Sequence, residues 1–162
     1  MDINIRLASQ EDLPQIIEIE QLSFPPTEVA TKEDFIKRFE TFSENFFVSV
    51  IDEKIIGFIN GCTTNQPLLP DELYHNPSIH QPTGDYQTVF GLDVLPEYRK
   101  QGVATQLLNH LIKVTKERNK KGIILTSKHH IVPYYEKFGF KHQGISASFH
   151  GGATWNDMLL LF

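Results

Sequence analysis

"LDVLPEYRKQGVATQLLNHL" occupies residues 92–111. It runs apolar to Leu95, stops at Pro96, turns basic at Arg99 and Lys100, and passes through Gly102 into a helical pattern. A proline ends the strand because it has no N–H for the ladder. Val103, Leu107, Leu108, Leu111 and Ile112 then recur on one helical face, which predicts a helix stopping near Gly122. The stretch is a β-loop-α unit. The first turn of its helix presents unpartnered backbone N–H groups and the positive end of the helix dipole. Gly102 has no Cβ and Ala104 almost none, so an anion can approach the main chain, with Arg99 and Lys100 adding charge beside it. The chemistry suits a pyrophosphate. Neither G-x-x-x-x-G-K-[ST] nor G-x-G-x-x-G is present, so this is neither a P-loop nor the dinucleotide fingerprint. Spacing alone leaves a plainer alternative open: a helix start with solvated basic residues and a cap glycine.

Outward from that unit, the chain reads as alternating strands and helices with no internal repeat. Ile3–Leu7 alternates as a strand. Ser9-Gln-Glu-Asp12 has capping-box spacing ahead of a helical face of Leu13, Ile16, Ile17 and Ile19. Thr31-Lys-Glu-Asp34 repeats that signal ahead of Phe35, Ile36 and Phe39. Pro25 and Pro26 forbid one continuous helix between them. Phe46–Ile51 and Ile55–Asn60 predict two strands joined by the turn Asp52-Glu53-Lys54. Residues 61–85 show no clear periodicity and hold Pro67, Pro70, Pro77 and Pro82; loops this long in a domain usually serve function. Tyr86–Leu95 reads as one strand, Ile123–Thr126 as a short buried one, and Val132–Lys137 as a short helix ended by Gly139. Phe140–Ser148 and Thr154–Phe162 form a hairpin around "HGG". This order predicts an α/β fold: a mixed central sheet of about seven strands with helices on both faces, in one domain spanning residues 1–162.

Bulk properties narrow the function. The 162 residues are 40% hydrophobic and 22% charged, with a net charge of −5. An extended nucleic-acid footprint is not expected of an acidic chain. No apolar run approaches the ~18 residues of a membrane span, and the first residues lack the basic and apolar regions of a secretory signal. Cys62 is the only cysteine, so no intramolecular disulfide forms, which fits the cytoplasm. His129 and His130 are adjacent on a loop without a third ligand at sensible spacing, so no metal is expected.

Arg99-Lys-Gln-Gly102-Val-Ala104 resembles the Q/R-x-x-G-x-G/A signature of the GNAT N-acetyltransferases. About thirty residues on, Pro133-Tyr-Tyr135-Glu-Lys-Phe-Gly139-Phe140 resembles that family's "YEKxGF" segment. "EIEQLSFPPTEVATKEDFIKRF" (18–39), "NPSIHQPTGD" (76–85) and "GISASFHGGATWNDMLLLF" (144–162) are similar to segments of the arylalkylamine N-acetyltransferase branch. The resemblance implies splayed central strands that admit acetyl-CoA, with no metal. The main chain of Leu92, Asp93 and Val94 would pair with pantetheine. Arg99, Lys100, Gln101, Gly102, Val103, Ala104 and Thr105 would surround the pyrophosphate, the main-chain N–H groups from Lys100 to Thr105 holding it. Tyr135 would be the general acid that protonates the leaving sulfur, and Tyr134 its packing neighbour. Reference pKa values of ~8.5 for a thiol and ~10 for tyrosine make full transfer uphill by about 2 kcal/mol, which calls for a strengthening hydrogen bond or a lowered tyrosine pKa.

The branch carries two histidines on its central strand; Thr88 and Phe90 stand at those positions here, and neither is a useful base. His80, Asp85 and Asp93 are the substitutes considered, alongside a water chain to bulk. Phe24, Glu28, Thr88 and Phe90 are assigned to the acceptor. Of Phe24, Phe46, Phe47 and Trp155, at least three are expected in the core. The implied partners are acetyl-CoA and a small primary amine, arylalkylamine or polyamine-like, in a monomer or homodimer. A protein N-terminus or lysine as acceptor, and a non-catalytic CoA-binding domain, remain as alternatives.

Overall fold

The computed structural model describes residues 2–76 and 80–162, so Pro77, within the aperiodic stretch, lies outside the described residues. Strand β1 (Asn4–Leu7) pairs antiparallel with β2 (Phe46–Ile51), and β2 with β3 (Lys54–Asn60) through the predicted tight turn. Between β1 and β2 lie helices α1 (Leu13–Ser23) and α2 (Lys32–Phe42). The Asp12 carboxylate accepts the Ser9 N–H at 2.8 Å and receives both terminal nitrogens of Arg6, at 2.7 and 3.0 Å. At α2, Thr31 Oγ1 accepts the Asp34 N–H and Asp34 accepts the Thr31 N–H, each at 3.1 Å, a capping box with Asp replacing Glu.

The predicted strand over 86–95 is two strands, β5 (Tyr86–Val89) and β6 (Gly91–Val94), broken at Phe90. β5 runs parallel to β7 (Gly122–Ser127), from Tyr86↔Gly122 to Val89↔Leu125. β6 instead pairs antiparallel with β3, from Asn60↔Gly91 to Gly57↔Val94. The break divides the expected sheet in two, and the described residues form nine strands rather than about seven. One sheet is β1-β2-β3-β6. The other is β4-β5-β7-β9-β8, where β4 is Thr63–Thr64, β8 is Lys141–Ile145 and β9 is Asn156–Leu161. The aperiodic stretch also holds a short helix, α3 (Asp71–His75). Leu69 and Leu73 are buried there with Phe42, Cys62 and Ile124.

Helix α4 (Val103–Glu117) buries Val103, Leu107, Leu108 and Leu111 against both sheets, as its stripe predicted. α5 (Val132–Glu136) follows β7. Phe46 and Phe47 join the core, with Phe35, Phe46 and Phe58 in mutual ring contact. The β3 chain turns toward β4 at Gly61, where the main chains nearly touch: a Cβ there would lie 1.9 Å from the Thr88 carbonyl oxygen. Only hydrogen fits. Gly61→Ala is therefore expected to destabilise the protein by roughly 1–3 kcal/mol or more through forced backbone displacement, read as a lower denaturant midpoint at unchanged slope.

Candidate active site

The change of partner at Phe90 opens the molecule. Past Val89 the central strand follows β3, while β7 continues beside β9 to Ser127↔Asn156. Between them is a cavity of about 310 Å³, lined on one side by Val89–Leu92 and on the other by Leu125–Lys128. Residue alternation along β6 decides which main-chain groups face it. Leu95 N–H bonds Ile56 O at 2.8 Å, so in an antiparallel ladder Asp93 also turns its main chain to β3, and Leu92 and Val94 turn theirs outward. Of the three residues expected to receive pantetheine, Leu92 and Val94 thus offer the open edge.

At the C-terminal end of β6 the chain makes one 3₁₀ turn, Pro96–Tyr98, and enters α4. Lys100 has φ of 62° and Gly102 φ of 85°. Nothing lies within 4 Å of where a Gly102 Cβ would sit, so glycine here serves conformation and leaves the approach open. Gln106 makes the first intrahelical bond, to Gly102 O at 3.0 Å, which leaves the N–H groups of Val103, Ala104 and Thr105 without helical acceptors. Two polar side chains of the predicted set are otherwise engaged: Arg99 Nε bonds Val94 O at 3.0 Å and Arg99 Nη2 bonds Ser23 Oγ at 3.3 Å, and Gln101 bonds Glu97 O at 3.0 Å.

Helix α5 supplies two adjacent tyrosines with different surroundings. The Tyr134 hydroxyl bonds Thr105 Oγ1 at 2.9 Å, tying α5 to the first turn of α4. Tyr135 lines the cavity. Burial pushes its pKa up, with the neighbouring Tyr134, Asp93 and Tyr74 acting in the same direction. The lowered tyrosine pKa offered as one route to proton transfer is therefore not present, and a hydrogen bond that strengthens as sulfur gains charge is the route left.

Three segments that sequence places far apart meet in the cavity wall at Glu28, Tyr74, His150 and Trp155. The His150 ring stacks on Tyr74, with centroids 5.7 Å apart, and its Nε2 bonds Glu28 O at 2.7 Å. Trp155 Nε1 bonds His150 O at 2.9 Å. Asp71 accepts the Ser148 hydroxyl and, at 3.1 Å, the Phe149 N–H. Lys128 Nζ lies 2.8 and 3.0 Å from the two oxygens of Glu28, so the carboxylate expected to attract an ammonium already holds one.

Beneath the cavity lies a set of buried charges. Glu20 and Arg38 line it, and both are buried. Glu20 Oε2 accepts the Ala30 N–H at 2.8 Å, fixing the turn between α1 and α2. Asp93 lies behind them. Burial, then the adjoining Glu20 carboxyl, hold the Asp93 carboxyl well above the ordinary carboxylate range.

Phe24, Glu28 and Phe90 line the cavity as expected of acceptor residues. Thr88 does not: fully buried, it donates to Cys62 O at 3.0 Å and stabilises the β3–β5 junction. The register change at Phe90 is what separates these two positions. Trp155 also lines the cavity, so only Phe46 and Phe47 of the four weighed aromatics belong to the core. Among the weighed bases, Asp85 pairs with Lys121 at 3.2 Å, and His80 accepts the Thr63 N–H at 3.0 Å and meets Glu44 at 3.1 Å, both outside the cavity. Sequence reasoning missed Glu20, Arg38 and Tyr74. The first two carried a signal: Glu20 follows Leu13, Ile16 and Ile17 on one helical stripe, and Arg38 sits between Phe35 and Phe42 on another.

A strand splayed from its parallel neighbour, above a helix mouth of free N–H groups, defines an acyltransferase fold of the N-acetyltransferase class. The chain belongs to the acetyltransferase (GNAT) family, whose sequence profile matches residues 13–140. An N-alpha-acetyltransferase of Saccharolobus solfataricus is 30% identical over 146 residues, covering 86% of this chain and 81% of that one. The loading GNATL domain of CurA from Lyngbya majuscula has the same fold, with a TM-score of 0.87 at 15% identity over 99% and 98% of the two chains. So does the PaiA N-acetyltransferase of Thermoplasma acidophilum in complex with coenzyme A, with a TM-score of 0.73 at 20% identity over 100% of each. These likenesses establish the family and not the arylalkylamine branch within it. Among the described residues, no helix is long and apolar enough to cross a membrane.

Burial lowers the pKa of His80 below its ordinary 6.5, against the opposing pull of Glu44. The unfolded chain then takes up a proton on this residue before the folded one does. Stability contributed by His80 is complete above pH ~6.5 and is lost as pH falls below it. His80→Gln is expected to flatten the fall in unfolding temperature between pH ~7 and ~5.

Proposed function

We propose that the protein is an acetyl-CoA-dependent N-acetyltransferase whose acceptor is a small primary amine. The observation that carries this reading is the cavity itself, of about 310 Å³, which runs along the splayed strand and is lined by the rings of Tyr74, His150 and Trp155. A recess of this size among aromatic rings suits a small or slender amine better than a lysine on a folded protein.

The residues present fit the coenzyme. Free N–H groups at Val103, Ala104 and Thr105, the left-handed Gly102 with open space above it, and the Lys100 charge suit a diphosphate. The outward main-chain groups of Leu92 and Val94, less the Val94 carbonyl held by Arg99, suit an amide-bearing arm. Acetyl-CoA supplies the activated acyl group as a thioester. Tyr135 stands at the cavity wall in its protonated form, which is what donation to a leaving thiolate requires. An amine of pKa ~10.4 must first lose a proton, a cost of roughly 4.6 kcal/mol at pH 7. That cost is small against typical enzymatic rate enhancement, so release of the proton to water is adequate. Cys62, the single cysteine, is buried and free, which fits a reducing cytoplasm.

A second reading takes the α-amino terminus of a polypeptide as acceptor, supported by the name of the 30%-identical relative from Saccharolobus solfataricus. Both readings meet in one assay: free thiol release from acetyl-CoA with arylalkylamines, polyamines and short peptides with free N-termini. The first reading expects higher kcat/KM on at least one small amine than on any peptide. The reverse ranking transfers the function to polypeptide N-termini, and silence on every acceptor refutes both. With the best acceptor, Tyr135→Phe is expected to lower kcat about a hundredfold with coenzyme affinity nearly unchanged, and equal turnover excludes Tyr135 from the chemistry. Gly102→Val, a β-branched residue at φ of 85°, is expected to weaken coenzyme binding by roughly tenfold or more in titration calorimetry.

A further inference from the structure

Arg38 is only 4% exposed, yet it lines the cavity. Its guanidinium carbon lies 5.2 Å from the Phe35 ring centre and 4.9 Å from that of Phe90. Among the described residues, only its Nη2 has a protein acceptor, the Tyr74 carbonyl, at a long 3.5 Å, and Nε has none. Among the described residues no carboxylate forms an ion pair with it. The groups that face it are Glu20 from α1, Asp34 from its own helix, Tyr74 from α3 and Asp93 from β6, all acting at longer range. Burial and the adjoining Glu20 carboxyl hold the Asp93 carboxyl well above the ordinary carboxylate range, which disfavours its charged form as a counter-ion.

A guanidinium taken out of water without an ion-pair partner is costly, and a structural role would be met by an apolar side chain of similar volume. What this arrangement lacks is an anion arriving from the cavity. The planar fork matches a carboxylate, and the rings of Phe35 and Phe90 hold it in one orientation. On the reading of this cavity as the place where amine and thioester meet, we propose that Arg38 receives a carboxylate carried by one of the substrates. Two sources share that chemistry. The acceptor can be an amino-acid-like amine, whose ammonium faces Glu20 while its carboxylate faces Arg38. Alternatively, the acyl group can be a dicarboxylic one whose distal carboxylate meets Arg38.

Matched ligands separate these sources. In the acceptor arm, phenylalanine is compared with 2-phenylethylamine, and ornithine with 1,4-diaminobutane. In the acyl arm, malonyl-CoA and succinyl-CoA are compared with acetyl-CoA. Each pair is measured by thiol release and, independently of turnover, by calorimetric binding to the whole protein, with coenzyme A present in the acceptor arm. The carboxylate-bearing member of at least one arm is expected to bind roughly tenfold tighter or better, a preference that falls to about one in Arg38→Gln and is partly kept in Arg38→Lys. The arm that shows the preference identifies the source. Absence of any preference in both arms of the unaltered protein overturns the proposal without recourse to a variant. So does a preference that survives in Arg38→Gln. Silence of every amine in thiol release counts against the amine-acceptor reading above, whereas the calorimetric ratios still decide the role of Arg38.

Discussion

Everything at this site depends on one chain exchanging hydrogen-bond partners within a few residues. Up to Val89 the central strand is held by β7, and from Gly91 onward it is held by β3. No strand can satisfy both neighbours once they diverge. The outward groups of Leu92 and Val94 are left without a ladder, and strand-edge groups shielded from water need some partner. Elsewhere such an edge would be a liability. Here it faces a cavity lined by residues of α5, the α1–α2 turn and α3.

The splay would be useless without the two helices that bracket it. α4 brings its N-terminus to the end of β6, and the Tyr134–Thr105 bond fixes α5 to that same first turn. Tyr135, one residue on, packs against the core and lines the cavity. Arg99 adds a further tie, reaching from the loop back to Val94 and across to Ser23 at the end of α1. The mouth of α4 and the wall of the cavity are thus tied together by direct hydrogen bonds.

The buried charges give this site its chemical character. Glu20, Asp93 and Arg38 lie where an apolar core would cost less, and burial drives Asp93 toward its neutral form. Glu28 and Lys128 neutralise one another on the opposite wall, with Lys128 also over the Trp155 ring at 5.8 Å. Among the described residues, the buried Arg38 forms no ion pair with a carboxylate, whereas Lys128 on the opposite wall does.

Local signals determined much of this protein. The proline after β6, the glycine at the mouth of α4, the capping carboxylates Asp12 and Asp34, and the apolar stripes all act through a few neighbouring residues, and each was legible in the sequence. The helix mouth was reached the same way, whereas Tyr135 was reached through the family resemblance of the segment around it. Other features arise from contacts between distant segments. The break at Phe90 is invisible in "YQTVFGLDVL", because it comes from which strands lie on either side. Thr88 turns into the β3–β5 junction because of Gly61 and Cys62, more than twenty residues away. Tyr74, His150 and Trp155 converge only after α3 and the terminal hairpin dock on the sheet. Glu20 and Arg38 interrupt apolar stripes and so were visible as anomalies, but their meeting beneath one cavity was decided by packing, since periodicity gives the face of a helix and never its neighbour.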